Sequence, residues 1–196
     1  MAISSMKTGL IKRSLLVGNP YYQPTAFESI ATFTATGSES SFSFTNIPST
    51  YQHLQLRSMY LDTYTSGYQA YLRIDINNNY NNVYNDHWTY GTGASALTSS
   101  GSGSSTYVRY AGYNSSDGNT NTFGVSIIDI LDYASTSKFK TFRCYSGADN
   151  NNGIGGLALT SNLFRSTSAI TTLSVYREND TFAARSTFAL YGIKGS

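Results

Sequence analysis

Short segments in which apolar and polar residues alternate, cut apart by Gly, Ser, Thr and Asn, limit the fold of this chain more than any other feature. In one of them Phe42 and Phe44 alternate with Ser and Thr, the period-two pattern of a strand with one buried face. No segment keeps a helical period. Roughly ten strands at this spacing predict an all-β fold, a single antiparallel β-sandwich of the jelly-roll type. The predicted strands cover residues 27–35, 41–45, 51–57, 68–76, 83–90, 106–110, 122–131, 138–145, 155–164, 170–176 and 182–193.

The connections between these segments carry the residues of turns and loops. A turn at 37–39 is predicted to join the first two strands as a hairpin, and Asn and Gly at 149–153 are predicted to form a tight hairpin tip. The segments 91–105 and 114–121 are rich in Gly, Ser, Thr or Asn. We expect both of them to be long loops that are mobile or used for binding.

Size and charge exclude several classes of function. At 196 residues the chain is long enough for one domain with a substantial core. Charged residues make up 12% of it and the net charge is +2, too little for the phosphate neutralisation that nucleic-acid binding requires. The apolar segment at 14–17 is too short for a signal peptide or a bilayer span, so no membrane partner is predicted.

Residues 1–26 are predicted to form an extended N-terminal arm ahead of a jelly-roll domain over 27–196. Pro20 and Pro24 each fix their own φ and bias the preceding residue toward extended geometry. A frayed terminus is the alternative. We expect the arm to pack against a partner protein through its apolar and aromatic residues. These are Leu10, Ile11, Leu15, Leu16, Val17, Tyr21 and Tyr22.

Residues with catalytic chemistry are few and scattered. The two histidines fall in different strands, and no metal-binding spacing accompanies either. Asp129 and Asp132, together with Asp75 or Asp86, are candidates for the two carboxylates of glycoside hydrolysis. Roles at turns and strand ends account for these acids better. The sequence therefore predicts no enzyme, no metal site and no cofactor.

The segment 84–90, Tyr-Asn-Asp-His-Trp-Thr-Tyr, is a candidate glycan-binding strand. Exposed Tyr and Trp rings stack on a pyranose face, and Asn and Asp bind its hydroxyl groups. Alternation places Tyr84, Asp86, Trp88 and Tyr90 on one face of this strand. A core strand would also bury Trp88 and Tyr90, so both interpretations stay open.

Four segments carry more specific motifs. They read Phe-Glu-Ser-Ile-Ala-Thr at 27–32, Phe-Thr-Asn-Ile-Pro-Ser-Thr-Tyr-Gln-His-Leu-Gln-Leu-Arg at 44–57, Ile-Ile-Asp-Ile-Leu-Asp-Tyr at 127–133 and Ser-Thr-Phe-Ala-Leu-Tyr-Gly-Ile-Lys at 186–194. Together they resemble a group of small virion proteins of tailed bacteriophages. The pairing of the Ile-Pro-x-x-Tyr turn with the closing Tyr-Gly-Ile is the most specific part. The resemblance covers about residues 27–194, and it implies a jelly-roll domain displayed on the particle, with no catalytic motif.

The resemblance, together with the lack of a catalytic or metal-binding motif in the sequence, favours a capsid decoration or cement protein at the virion surface. In this interpretation the arm binds the major capsid protein or another virion protein, and the jelly rolls self-associate as a homo-trimer. The alternative is a tail-fibre or baseplate-attached receptor-binding protein that recognises a host surface glycan. An arm of residues 1–26 is too short for the long shaft of a tail fibre, which favours the cement role.

Overall fold

The computed structural model describes residues 26–63, 71–112, 121–149, 155–177 and 180–195. Apart from Ala26, the predicted arm lies outside the described residues, and so does nearly all of the predicted loop 114–121. The predicted partner contacts of the arm are therefore also outside them, namely Leu10, Ile11, Leu15, Leu16, Val17, Tyr21 and Tyr22.

The described residues form twelve strands and no helix. The alternation of apolar and polar residues explains most of them, because each strand of the sandwich turns one side to the core. The strands are β1 Phe27–Thr34, β2 Ser41–Phe44, β3 His53–Tyr60, β4 Tyr71–Ile76, β5 Tyr84–Gly91, β6 Ala96–Ser105, β7 Val108–Gly112, β8 Gly124–Ile130, β9 Lys140–Asp149, β10 Gly155–Phe164, β11 Leu173–Arg177 and β12 Thr187–Ile193.

Two antiparallel sheets form the sandwich. The large sheet has eight strands in the order β1-β12-β3-β8-β9-β10-β5-β6, and the small sheet has four in the order β2-β11-β4-β7. Four pairs follow the path of one long hairpin: β1 with β12, β2 with β11, β3 with β8 and β4 with β7. The hairpin is wound so that β12 also pairs with β3 and β11 with β4. This is the topology of a jelly roll, and the predicted fold class is confirmed.

The remaining four strands are two insertions in the jelly roll. Strands β5 and β6 come between β4 and β7 in the chain, and β9 and β10 come between β8 and β11. Each insertion is a hairpin, and the two pair edge to edge through β5 and β10. They widen the large sheet from the four strands of a minimal jelly roll to eight, so the insertions supply half of the strands of this sheet.

One hydrophobic core joins the two sheets. Phe188 on β12 is fully buried, and its ring centroid lies 4.7 Å from that of Phe42 on β2 and 5.1 Å from that of Phe182. Leu56 and Ile128 extend the same core across β3 and β8. Each such side chain stabilises the fold by about 1.5–3 kcal/mol through removal of apolar area from water.

The prediction that the first two strands form a hairpin is wrong. Strand β1 pairs with β12 in the large sheet, whereas β2 pairs with β11 in the small sheet. The connection crosses between sheets through Gly37, which has a φ of +110°, a value that favours glycine. The Glu39 carboxylate holds this turn by accepting hydrogen bonds from the backbone N–H groups of Thr36, Gly37 and Ser38. The turn residues were recognisable, but the change of sheet was not.

The prediction that 91–105 is a loop is also wrong over most of its length. Strand β6, Ala96–Ser105, pairs with β5 at the edge of the large sheet. Its Gly- and Ser-rich sequence has low strand propensity. The ladder with β5 uses backbone groups, which every residue in this segment possesses, so pairing overrides propensity here.

The Ile-Pro-x-x-Tyr turn and the closing Tyr-Gly-Ile segment, the most specific part of the resemblance, contact each other. A Cβ atom added at Gly192 on β12 would lie 2.3 Å from the ring of Tyr51, so the ring occupies the space that a side chain there would need. The Tyr51 hydroxyl donates a hydrogen bond of 3.1 Å to Glu28 on β1. Glu28 also pairs with Lys194. The Tyr51 turn, the first strand and the last strand are thereby joined at one end of the large sheet.

Candidate functional site

The outer side of the large sheet carries a group of exposed apolar side chains. Their exposed fractions lie between 42% and 56%, although each residue belongs to a strand that is paired on both sides. We call this group the outer apolar face. Its members are Met59 on β3, Val125 and Ile127 on β8, Tyr145 on β9, and Leu157 and Leu159 on β10.

The strand register makes this face continuous. Residues directly opposite each other on neighbouring strands bring their Cβ atoms to within about 4.5–5.5 Å. Its six members lie in two adjacent rows that run across β3, β8, β9 and β10, and Gly147 and Arg57 occupy the other two positions of these rows. The first row is Met59, Val125, Gly147 and Leu157, and the second is Arg57, Ile127, Tyr145 and Leu159.

The inner side of the same strands explains why these apolar residues point outward. On β10, Ala158, Thr160 and Asn162 are buried while Leu157 and Leu159 are exposed. The register with β9 determines which set is buried, because a shift by one residue would reverse every side chain. Between positions 157 and 162 of β10 the sandwich therefore encloses the smaller and more polar residues, and the leucines face outward.

A polar row borders the outer apolar face on one side. Gln55, Asp129 and Arg143 stand opposite one another on β3, β8 and β9. The Gln55 amide donates a hydrogen bond of 2.7 Å to Asp129, and Arg143 pairs with the same carboxylate at 3.3 Å. Arg57 donates to Gln55 at 2.6 Å. The outer apolar face is therefore bordered by a hydrogen-bonded row that carries both charges.

The structure places the predicted glycan-binding residues on the inner side of β5, and this corrects two of them. Tyr84 is fully buried, its ring is stacked on that of Phe164 at 5.1 Å, and its hydroxyl donates to the backbone of Asn79 at 2.9 Å. Burial raises the pKa of this hydroxyl above its usual range. Asp86 is only 6% exposed. Both side chains lie on the inner side of the sheet, within the sandwich, where a sugar does not reach them.

Trp88 and Tyr90 remain partly exposed. Their rings are stacked on each other with centroids 4.7 Å apart, and Tyr71 on β4 meets Trp88 edge-on at 6.3 Å. Since Trp88 is not wholly buried, the glycan-binding prediction for these two rings stays a prediction.

The candidate carboxylates do not converge. Asp129 points outward from the large sheet, Asp75 points outward from the small sheet, and Asp86 is buried within the sandwich. Asp132 lies in the turn after β8, where an ion pair of 2.7 Å with Lys138 lowers the pKa of its carboxyl group. The topology separates them because β4 and β8 belong to opposite sheets.

The two histidines lie on different strands, and His53 Nδ1 is 3.7 Å from the Asp132 carboxylate. His53 Nδ1 accepts a hydrogen bond of 3.0 Å from the backbone N–H of Asp132, and His87 is exposed on the outer side of β5. Within the described ranges, no three His, Cys, Asp or Glu residues are grouped so that they could hold a metal ion. The same part of the chain has no helix with the length and hydropathy of a membrane span.

Sequence reasoning missed the outer apolar face, although a signal for it exists. In the segment 155–164 the leucines occupy odd positions, whereas Phe164 occupies an even one, so both sides of the strand carry large apolar residues. Such a strand fits a sheet that is covered on both sides.

No protein-family model, no curated protein and no solved structure matches this chain.

Proposed function

We propose that this protein is a virion structural protein whose jelly-roll domain self-associates through the outer apolar face. The observation that carries the proposal is the continuous group of half-exposed aliphatic and aromatic side chains across β3, β8, β9 and β10. The sequence resemblance to small virion proteins of tailed bacteriophages supports the setting. Within it, the role of a capsid decoration or cement protein at the virion surface fits best.

The energetics favour burial of this face. A half-exposed Leu, Ile or Val that becomes buried contributes on the order of 1 kcal/mol, and four such side chains lie together with Met59 and Tyr145. Large contiguous apolar patches are rare on monomeric proteins and mark interaction sites. The bordering Asp129 and Arg143 carry opposite charges, so a second copy brings a complementary charge to each of them.

The arm predicted over residues 1–26 supplies the second contact in this proposal, with the major capsid protein or another virion protein. A trimer presents three arms at once, and multivalent attachment holds an assembly far more tightly than one arm can. Tail or baseplate attachment by the same arm is the alternative location.

The mass of the protein in solution tests the self-association. Sedimentation equilibrium is expected to give a multiple of the 21.4 kDa of one chain, three times this mass for a trimer. Ile127→Lys and Leu159→Lys introduce charges into the face, and each is expected to weaken association at least about tenfold. Phe139→Lys is the matched control, since Phe139 is 53% exposed but precedes the start of β9. A folded wild-type chain that stays monomeric at high concentration would contradict the proposal.

The virion setting needs a separate measurement. An antibody against the chain is expected to label purified particles, and electron microscopy then distinguishes head from tail. Deletion of residues 1–26 is expected to abolish incorporation while leaving a soluble folded domain that still self-associates. Particles that carry no label would refute the virion role, and unchanged incorporation of the truncated chain would refute anchoring by the arm.

A further inference from the structure

A polar pocket lies on the outer side of the small sheet, on the opposite side of the sandwich from the outer apolar face. It is open to solvent and has a volume of about 460 Å³. We call it the Asp75 pocket. Its principal lining residues are Ser41 and Ser43 on β2, Ser174 and Tyr176 on β11, Asp75 on β4, and Tyr80 in the connection that follows β4.

Strand register brings the hydroxyl groups of the pocket beside the carboxylate. Ser43, Ser174 and Asp75 stand opposite one another on β2, β11 and β4. The hydroxyl oxygens of Ser43 and Ser174 are 2.8 Å apart and share a hydrogen bond. The floor of the pocket therefore combines two hydroxyl groups with one carboxylate in a single cross-strand row.

Asp75 is unusual for a residue on an outer side. Its neighbours Ile74 and Ile76 point into the core, so Asp75 points away from it, yet only 3% of its surface is exposed. Among the described residues, Oδ1 of Asp75 has no hydrogen-bond partner. Burial raises the pKa of the carboxyl group to about 6, against the opposing effect of a hydrogen bond from the Tyr80 side chain. A buried acceptor without a donor is destabilising, and a ligand that donates to it would remove this cost.

We propose that the Asp75 pocket binds a neutral saccharide, with Asp75 accepting hydrogen bonds from sugar hydroxyl groups and the Tyr80 ring packing on the sugar. A carboxylate has two oxygens, and its hydrogen bonds are stronger than those of neutral acceptors. Ser43 and Ser174 both donate and accept, as sugar hydroxyl groups require. Tyr80 is 61% exposed and offers an apolar ring at the rim.

The lining of the pocket argues against other ligand classes. The Asp75 carboxylate would repel a phosphate or carboxylate ligand when it is ionised. Asp75 is the only carboxylate among the pocket's described lining residues, whereas divalent cations are held by several oxygen ligands including carboxylates. Arg177 at the pocket's edge is committed to Asp62 at 2.8 Å, with 8% and 0% of the two side chains exposed.

The test uses the full chain and a panel of free monosaccharides: glucose, galactose, mannose and N-acetylglucosamine. Saturation-transfer NMR at pH 7.5 is expected to show binding of at least one of them, and titration gives its dissociation constant. Asp75→Asn and Tyr80→Ala are each expected to weaken that binding about tenfold. Asp129→Asn on the large sheet is the matched control and is expected to leave it unchanged. Trp88→Ala is also expected to leave binding unchanged, whereas weaker binding by this variant would place the saccharide on the Trp88 and Tyr90 rings of β5.

The pH dependence of saccharide binding provides a second measurement. Lowering the pH from 7.5 to 5 protonates Asp75 and is expected to weaken saccharide binding by the wild type but not by Asp75→Asn. The charged and titratable groups around Asp75 are Arg73, Tyr80, Tyr84, Tyr176 and Arg177. Absence of saccharide binding at millimolar concentration, binding of lysine or methylammonium in its place, or equal binding by wild type and Asp75→Asn would each overturn the proposal. The proposal does not rest on self-association, which is measured separately.

Discussion

The two outer sides of the sandwich differ in what they expose. The large sheet presents aliphatic and aromatic residues such as Ile127 and Leu159, whereas the small sheet presents Ser43, Ser174 and a buried Asp75. Both surfaces arise from the same period-two alternation. Alternation gives every strand an inner and an outer face, but it determines neither the polarity of the outer face nor what that face binds.

Each side of the sandwich has an ion pair, and the two pairs differ in burial. On the small-sheet side, Arg177 pairs with Asp62 at 2.8 Å and both side chains are buried. Arg177→Met removes the guanidinium that pairs with the buried Asp62 carboxylate, so we expect the free energy of unfolding to fall by about 3–5 kcal/mol. Urea denaturation monitored by circular dichroism measures this change.

Arg143→Met is the matched variant on the large-sheet side. Arg143 pairs with Asp129 at 3.3 Å, but 70% of its side chain is exposed. We expect a change in unfolding free energy of at most about 1 kcal/mol, because solvent screens an exposed pair. Equal losses for the two variants would show that the two sides do not differ in burial as described.

Two consecutive residues of β8 test the outer apolar face itself. Ile128 is 1% exposed and Ile127 is 43% exposed. At low protein concentration we expect Ile128→Ala to lower the free energy of unfolding by about 2–5 kcal/mol and Ile127→Ala by less than about 1 kcal/mol. Denaturation curves at several protein concentrations measure both. If the Ile127→Ala loss grows with concentration, the face is buried by association; if it is large in the monomer, the face is already covered within the chain.

The pH dependence of stability tests the small-sheet side. The native pKa of Asp75 is about 6, above the 3.8 of an unperturbed Asp, so between these values the folded chain binds more protons than the unfolded chain. This group's contribution to stability is therefore lost as the pH rises from about 4 to 6. We expect Asp75→Asn to remove this dependence and to stabilise the protein at pH 7.5 by on the order of 2 kcal/mol. Thermal unfolding of both proteins from pH 4 to 8 measures it, and parallel curves would contradict the burial of an ionised Asp75.

The positions of most strands follow from local pattern alone. The segment 155–164 was predicted as a strand and is β10, and the closing aromatic segment is β12. The all-β class, the sandwich and the hairpin of β9 and β10 follow from the same signals. They are predictable because side-chain alternation and turn chemistry act over a few neighbouring residues.

Tertiary structure decided how the strands pair and what each side encounters. Pairing in backbone ladders made β6 from a Gly- and Ser-rich segment and sent β1 and β2 into different sheets. Register turned Leu159 outward and Thr160 inward. It also set Asp75 beside Ser174, more than ninety residues away in the chain. The residues and their alternation are written in the sequence, but burial depends on contacts between segments far apart in it, and no local pattern contains those contacts.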